Sequence, residues 1–317
     1  MVDTVPMAEA KAPFFSIVVP TYRRAHLLGR ALDSVSSQGW RDFEVVIVDD
    51  GADDASRDLV AMRTDPRLRY LPQARPGGAA AARNAGISVA RGHWVLFLDD
   101  DDELLPGSLE TVARRLTAAD PPVGFLWCGV RMVRDTPEGE VLLEERLWGE
   151  HFDRSPQDPP LDPRQRRRAE YDAIRIGTGF GLTVRRDLLL ELGSFDTSLR
   201  VAEETDLVLR LLDARVPFDA VRDAQVLIHR VAGGSLSDTS PAAERIASVE
   251  RVVERNRAVL RRRPHLEAKM WETLGREYAR AGDAPAAWRT AGRLLRHHPT
   301  TVHAWRMVLR AIYGRRG

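Results

Sequence analysis

Acidic side chains follow two of the short apolar runs of this chain. Asp99–Asp102 are four consecutive aspartates directly after Trp94–Leu98. Asp49–Asp50 come directly after Glu44–Val48. Four adjacent carboxylates repel one another and are costly to desolvate unless a cation compensates them. Mg²⁺ or Mn²⁺ bridging to a diphosphate would do so, since these ions bind carboxylate and phosphate oxygens. The alternative is a solvated acidic turn ahead of a helix from Gly107, where carboxylates are favourable.

The elements that must position these carboxylates alternate along the chain. Apolar runs predict buried strands, and apolar residues at helical spacing predict helices between them. The predicted strands are 16–20, 44–48, 68–71 and 94–98, and the predicted helices are 26–38, 55–62 and 79–90. This order implies right-handed crossovers and a mostly parallel sheet, which binds ligands at the carboxyl ends of its strands. We therefore predict an α/β fold with the aspartates at that edge.

The pattern is less regular in the second half. Between Asp135 and Tyr171 the alternation fades, and five prolines and the run Arg166–Arg168 predict a long irregular excursion that shapes a functional site. The elements predicted to follow it are a strand at 179–184, helices at 186–192 and 202–212, and a strand at 224–229.

After Pro241 the pattern is helical throughout. The residues Trp271, Leu274, Gly275, Tyr278, Gly282, Ala287 and Pro299, with Trp305 one 34-residue period after Trp271, resemble a tetratricopeptide helix pair and the start of a second. One pair cannot stand alone, so it must pack on the first domain or on a partner chain. We predict two domains, 13–240 and 241–317, and favour a homodimer through the C-terminal helices.

Composition excludes several classes of protein. The chain has 317 residues, 44% of them hydrophobic, and a formal net charge of +1, which argues against disorder and against nucleic-acid binding. A single cysteine, Cys128, fits a reducing compartment. The apolar runs are too short to span a bilayer, and residues 1–12 lack the apolar core of a signal peptide. We predict a cytoplasmic protein and leave peripheral membrane contact open.

Six motifs, in consistent order and spacing, resemble the family 2 glycosyltransferases. Segments 16–22, 48–51, 82–87 and 97–102 resemble the nucleotide-sugar half of that family. Segments 193–196 and 203–207 resemble its acceptor half. The resemblance extends from about Phe14 to Ser237. It implies the GT-A fold, a Rossmann-like sheet flanked by helices, with 13–106 as the nucleotide-sugar half and 107–240 as the acceptor half.

The resemblance also implies roles for the donor-site residues. Pro20 and Tyr22 would line the nucleobase pocket, and Asp50 would accept a hydrogen bond from a base N–H, which suits uracil or thymine. For Arg83, contact with the base or diphosphate and a structural salt bridge to the sheet-end carboxylates both remain open.

The same resemblance assigns the acidic residues. Asp99, near the ribose, and Asp100 would bind the nucleotide sugar, and Asp101 would hold Mn²⁺ or Mg²⁺ on the diphosphate; Asp102 is either near the sugar or behind the metal site. Glu204 occupies the position of the family's catalytic aspartate, with Glu203 as the reserve. A carboxylate beside an acceptor hydroxyl can act as a general base, and the alternative for Glu204 is a helix N-terminal charge.

One departure from the family lies near His229. Ala232 stands where many relatives have a histidine; His229 is either a substitute or a strand-end residue bonded to backbone, and Arg230 is a candidate diphosphate contact.

The function implied is metal-dependent, inverting transfer of a sugar from a UDP- or dTDP-sugar to a hydroxyl-bearing acceptor, such as a glycan, a lipid-linked sugar, a natural product or a peptide. The alternative is a non-catalytic scaffold that binds a nucleotide, or a partner through its helical tail. A dinucleotide-dependent oxidoreductase is disfavoured, because no G-x-G-x-x-G follows the first strand.

Overall fold

A mixed sheet with helices against it forms the described part of the chain. The structure, a computed structural model, describes residues 11–119, 122–147, 161–175, 181–230 and 240–297. The strands in these residues are β1 (Phe15–Thr21), β2 (Phe43–Asp49), β3 (Leu68–Pro72), β4 (Trp94–Phe97), β5 (Asp102–Leu104), β6 (Phe125–Thr136), β7 (Gly139–Arg146), β8 (Thr183–Arg185) and β9 (Phe218–His229). The helices are α1 (Ala25–Ser36), α2 (Asp54–Ala61), α3 (Ala79–Val89), α4 (Ser108–Ala118), α5 (Pro163–Arg175), α6 (Arg186–Glu191), α7 (Glu203–Asp213), α8 (Ala242–Arg255), α9 (Arg257–Arg262), α10 (Pro264–Arg280) and α11 (Ala284–His297).

The first four strands are parallel, as the alternating pattern predicted. β1 pairs in parallel with both β2 and β4, and β2 pairs in parallel with β3. All seven residues of β2 are buried, so its apolar run has no polar face. Gly86 lets α3 lie close to the sheet, because a Cβ there would be 2.5 Å from Val18 Cγ1. Thr21 and Asp49 are register partners at the carboxyl ends of β1 and β2, so the following residues share one edge.

The rest of the sheet is mixed. The strand order is β3-β2-β1-β4-β8-β6-β9-β5, with β7 paired to β6. β8 is antiparallel to β4 and β6, β9 is parallel to β6, and β5 is antiparallel to β9. The predicted α/β class is confirmed; β3-β2-β1-β4 is a continuous parallel run, and β6 and β9 are a further parallel pair. Because Asp102 pairs with Ile228, β5 holds the end of the aspartate run against the end of β9.

The prediction of an irregular excursion between Asp135 and Tyr171 was wrong for two segments. Strands β6 and β7 form a hairpin whose turn is closed by Thr136 Oγ1 donating to the carbonyl of Gly139 at 2.7 Å. Nearly all of β7 is exposed, so it lacks the apolar alternation by which strands are recognised. Pro163 opens α5, where the missing N–H costs no hydrogen bond. Residues 148–160 lie outside the described part.

The C-terminal helices pack on the first domain, one of the two alternatives left by the sequence. Val252 of α8 and Met270 of α10 share a hydrophobic cluster with Trp127 of the sheet and Leu207 of α7. Helices α10 and α11, joined through a turn at Gly282 with φ of 77°, supply the helix pair expected there. Pro299 and Trp305 lie outside the described residues. No helix in the described part is both long and apolar enough to cross a bilayer.

Candidate active site

Five chain segments bring charged or polar side chains to one edge of the sheet. They are the end of β1, the end of β2, α3, residues 99–102 after β4, and the first turn of α7. Thr21 Oγ1 donates to Asp100 Oδ2 at 2.7 Å, which joins the end of β1 to the aspartate run. Arg83 of α3 bridges that run to α7. The structure thus brings together the acidic groups that the sequence placed in separate motifs.

Arg83 is the central cation of this edge. Its Nη2 is 2.8 Å from Asp99 Oδ1, and its Nη1 is 2.9 Å from Glu203 Oε1 and 3.2 Å from Glu204 Oε1. Its side chain is only 4% exposed. Burial alone would lower the pKa of Arg83, but Asp99, Glu204 and Glu203 together raise it. The guanidinium therefore stays charged and offsets the repulsion among three carboxylates.

The two glutamates open α7, directly after Ala202 in the left-handed region at φ of 63°. Both are buried. Burial, followed by repulsion from Glu203, raises the pKa of Glu204 to about 8, while Arg83 opposes the shift. Glu203 has the shorter contact with Arg83. A carboxylate with a raised pKa accepts a proton more readily than an ordinary one, which is the property a general base needs.

The four aspartates point in different directions. Asp99, Asp101 and Asp102 each offer a carboxylate oxygen, and these oxygens lie within 4.8 Å of one another. Asp100, assigned above to the nucleotide sugar, is fully buried and is bonded inside the protein to Thr21 and Arg24. Burial raises the pKa of Asp100 to about 7 although Arg24 and Thr21 lower it.

Asp102 provides the test of whether the cluster fits a metal ion. Its Oδ1 accepts from the backbone N–H of His229 at 3.3 Å, and its Oδ2 is buried without a hydrogen-bond partner. Burial, then repulsion from Asp99 and Asp101, raises the pKa of Asp102 well above its ordinary range. A buried oxygen without a partner is costly unless something unseen satisfies it. Three carboxylates around such an atom fit a hard divalent cation such as Mg²⁺ or Mn²⁺.

The edge at the ends of β1 and β2 combines a fixed loop with an exposed ring. Asp50 accepts from the backbone N–H groups of Gly77 at 2.9 Å and Gly78 at 2.8 Å, which fixes the loop ahead of α3. Tyr22 is 43% exposed, and the Arg23 guanidinium lies 5.3 Å from the centre of its ring. Pro20, at the end of β1, is partly exposed. A flat accessible ring beside a rigid acidic loop can stack against a planar base.

The comparison with known families decides the identity. The model of the family named glycosyl transferase family 2 matches residues 16–193, more than half of the chain. The chain belongs to glycosyl transferase family 2. This family of glycosyl-transfer enzymes is the one that the six motifs resembled, so the predicted family is confirmed.

Individual relatives of this chain match shorter segments of it. It is 42% identical over 114 residues to the succinoglycan biosynthesis protein ExoO of Rhizobium meliloti, which is 36% of this chain and 33% of that protein. It is 38% identical over 106 residues to the GalNAc(5)-diNAcBac-PP-undecaprenol beta-1,3-glucosyltransferase of Campylobacter jejuni, which is 32% of this chain and 34% of that protein. The matches thus span about a third of these two relatives.

A solved structure supports the fold. The crystal structure of S. aureus TarS 1–349 in complex with UDP-GlcNAc superposes with a TM-score of 0.62 over 89% of this chain and 81% of that chain. The two sequences are 19% identical, so this likeness concerns the fold. The predicted GT-A architecture is confirmed.

Among the candidate site residues, Arg24 was missed in the sequence, and His229 was left with two alternatives. Arg24 donates to Asp101 Oδ2 at 2.9 Å and also contacts Asp100. His229 bonds to Asp135 at 2.8 Å and to Glu103 at 2.7 Å, so carboxylates hold its ring and the backbone bonding considered above was wrong. The only signal for Arg24 was its position just after the first strand. The segment 231–239, with Ala232, lies outside the described residues.

Proposed function

We propose that this protein is a metal-dependent, inverting glycosyltransferase that moves a sugar from a UDP- or dTDP-sugar to an acceptor hydroxyl. One observation carries the proposal: Arg83 joins Asp99 of the aspartate run to Glu203 and Glu204 within 3.2 Å. This geometry sets a diphosphate-binding cluster and a candidate base on either side of one buried cation. The fold shared with TarS, which binds UDP-GlcNAc, supports the donor class.

Donor binding is assigned to residues at the ends of the first two strands. Tyr22 stacks on or flanks the base, with Pro20 beside it, and the Asp50 carboxylate accepts from a base N–H as it already does from Gly77. The N3–H of uracil or thymine is a donor that suits this acceptor. Asp99 is assigned to the ribose side of the cluster, and Asp100, which is bonded to Thr21, holds the aspartate run against the end of β1.

Asp101, together with Asp99 and Asp102, would hold Mg²⁺ or Mn²⁺, and the bound ion would neutralise negative charge on the departing diphosphate. While no ion is bound, Asp101 forms an ion pair with Arg24. With the ion bound, these acidic residues would hold the diphosphate so that the sugar faces the first turn of α7.

Glu204 carries out the proton transfer. Its carboxylate takes the proton of the acceptor hydroxyl as the hydroxyl oxygen bonds to the anomeric carbon. The bond from that carbon to the diphosphate oxygen breaks on the opposite face, so the configuration inverts. A raised pKa makes Glu204 a stronger base than an exposed glutamate, provided that the pH keeps it ionised. Arg83 remains beside the carboxylate and stabilises its charged form.

Nucleotide release tests the proposal. The purified full chain is incubated with UDP-, dTDP- or GDP-sugars in Mn²⁺ or with EDTA, and free nucleoside diphosphate is measured alongside thermal stabilisation by each nucleotide. We expect metal-dependent stabilisation by UDP or dTDP and slow sugar hydrolysis that Glu204→Gln abolishes. Absence of metal-dependent nucleotide binding would refute the enzyme and favour the non-catalytic scaffold.

A further inference from the structure

A buried hydrogen bond joins the C-terminal helices to the helix that carries Glu204. Asn256, between α8 and α9, donates from Nδ2 to Asp206 Oδ1 at 2.7 Å. Asp206 lies in the first turn of α7, two residues after Glu204, and is fully buried. Its backbone N–H closes that turn on the carbonyl of Ala202 at 3.0 Å. Because Asn256 is itself buried, water does not readily replace the bond.

The second oxygen of Asp206 continues the network. Arg210 Nε donates to Asp206 Oδ2 at 2.8 Å. The same guanidinium donates to the carbonyl of Leu192 at 2.7 Å and to that of Ser194 at 2.5 Å. One carboxylate therefore ties the tail to α7, and Arg210 ties α7 to the turn after α6.

The turn after α6 is also connected to the helix that carries Arg83. Asn84 binds both backbone groups of Phe195: its Nδ2 donates to the carbonyl at 2.9 Å, and its Oδ1 accepts from the N–H at 2.9 Å. Asn84 is the neighbour of Arg83 on α3, and the Arg83 guanidinium lies 5.7 Å from the Phe195 ring. The position of α7 relative to Arg83 thus depends on a connected set of buried and part-buried contacts.

We propose that Asn256 is a positioning residue for Glu204, acting through Asp206 and the first turn of α7. This inference rests on the proposed function, in which Glu204 is the base. Without the Asn256 amide, Asp206 Oδ1 loses its short contact, and the next cation toward it is Arg255, whose Nε is 3.8 Å away. A carboxylate drawn toward Arg255 turns the start of α7 and moves Glu204 away from Arg83. The tail is then part of the catalytic framework.

The chain offers a matched control at the other end of the same helix. Arg263, also in the tail, donates from Nη2 to the carbonyl of Leu212 at 2.9 Å. Leu212 is about 9 Å along α7 from Asp206, at about 1.5 Å per residue. Arg263→Ala therefore removes a bond between tail and α7 without touching the first turn. It also removes the ion pair with Glu170, so its cost in stability is at least comparable.

The experiment compares Asn256→Ala, Asn256→Gln and Arg263→Ala in the full chain. For Asn256→Ala we expect kcat to fall about tenfold or more, the scale of loss that a small misplacement of a catalytic group causes, with donor KM within about twofold. Asn256→Gln keeps an amide donor and recovers part of kcat. Arg263→Ala lowers the melting temperature at least as much as Asn256→Ala does, but it leaves kcat within about twofold of the wild-type value. Equal kcat losses in Asn256→Ala and Arg263→Ala would overturn the proposal.

A second measurement separates this inference from the proposed function. Hydrogen–deuterium exchange is followed in peptides covering 203–209 and 210–216. Asn256→Ala is expected to speed exchange in the first peptide, and Arg263→Ala in the second. If Glu204→Gln keeps wild-type turnover, the base assignment fails, and the exchange data still decide whether Asn256 holds the turn. Unchanged or evenly spread exchange in Asn256→Ala refutes that role.

Discussion

Replacing Glu204 by glutamine keeps the side-chain shape and removes its ability to ionise, and we expect turnover to fall while stability at high pH rises. Turnover falls by about 10²–10⁴-fold, the usual contribution of a positioned general base. The amide oxygen still accepts from Arg83, which lies 3.2 Å from the present carboxylate, so the local packing is retained. It cannot take a proton from the acceptor hydroxyl.

The stability effect follows from the pKa of Glu204, which burial and Glu203 raise from the ordinary 4.5 to about 8. Between these pH values the folded chain keeps a proton that the unfolded chain has released. The free energy of unfolding therefore falls as pH rises through this window. At about 1.4 kcal/mol per pH unit, the wild-type loss has a ceiling of about 5 kcal/mol. The Glu204→Gln variant avoids this loss, but Arg83 then has one carboxylate partner fewer, which offsets part of the benefit. We therefore expect the free energy of unfolding of the variant to exceed that of wild type by about 1–3 kcal/mol at pH 9.

Urea unfolding at pH 5 and pH 9, together with nucleotide release at pH 9, measures both effects. The gain over wild type should be present at pH 9 and small at pH 5. Glu203→Gln makes the same exchange one residue earlier and shows whether the effect belongs to position 204. A stability difference independent of pH would refute the reasoning about burial, and wild-type turnover would refute the base assignment.

Three further substitutions test the rest of the site and the fold. Asp101→Asn should abolish the Mn²⁺-dependent part of the thermal stabilisation by UDP while the chain stays folded; unchanged stabilisation would remove Asp101 from the metal site. Asp50→Ala releases the N–H groups of Gly77–Gly78, so the free energy of unfolding should drop by about 1–3 kcal/mol and UDP affinity should fall in calorimetry. Gly86→Ala sets a Cβ 2.5 Å from Val18 Cγ1 and should cost about 1–3 kcal/mol in urea unfolding; a neutral result would mean that α3 can move off the sheet.

Much of the first half of the fold could be predicted, because buried parallel strands are continuous apolar runs. The predicted strand 44–48 lies within β2, which is buried at every position. The strand β7 was missed because most of its residues are exposed, so neither face has an apolar pattern. Helix α5 was missed because its N-terminal part is polar and arginine-rich, and only its later residues, such as Ala173 and Ile174, are buried.

The candidate site, like the fold, could be predicted from the sequence only in part. The aspartate run was found from residue type and from its position after a predicted strand, and the Glu203–Glu204 pair was found from the family resemblance. The orientation of each carboxylate was not, because neighbouring aspartates in one turn point in different directions. Asp100 is bonded to Thr21, whereas Asp102 has a buried oxygen without a partner, and only packing separates the two.

The sequence by itself determined the family, the alternation of strands and helices in the parallel part of the sheet, and the types of side chain at the sheet edge. These features depend on local pattern and motif spacing. The tertiary structure alone decided which charges meet. Arg83 reaches Glu203 across 120 residues of chain, and Asn256 reaches Asp206 across 50. Such contacts depend on how whole helices pack, and a helix's packing depends on every element beneath it. That is why the contact between the C-terminal helices and α7 could not be predicted from the sequence.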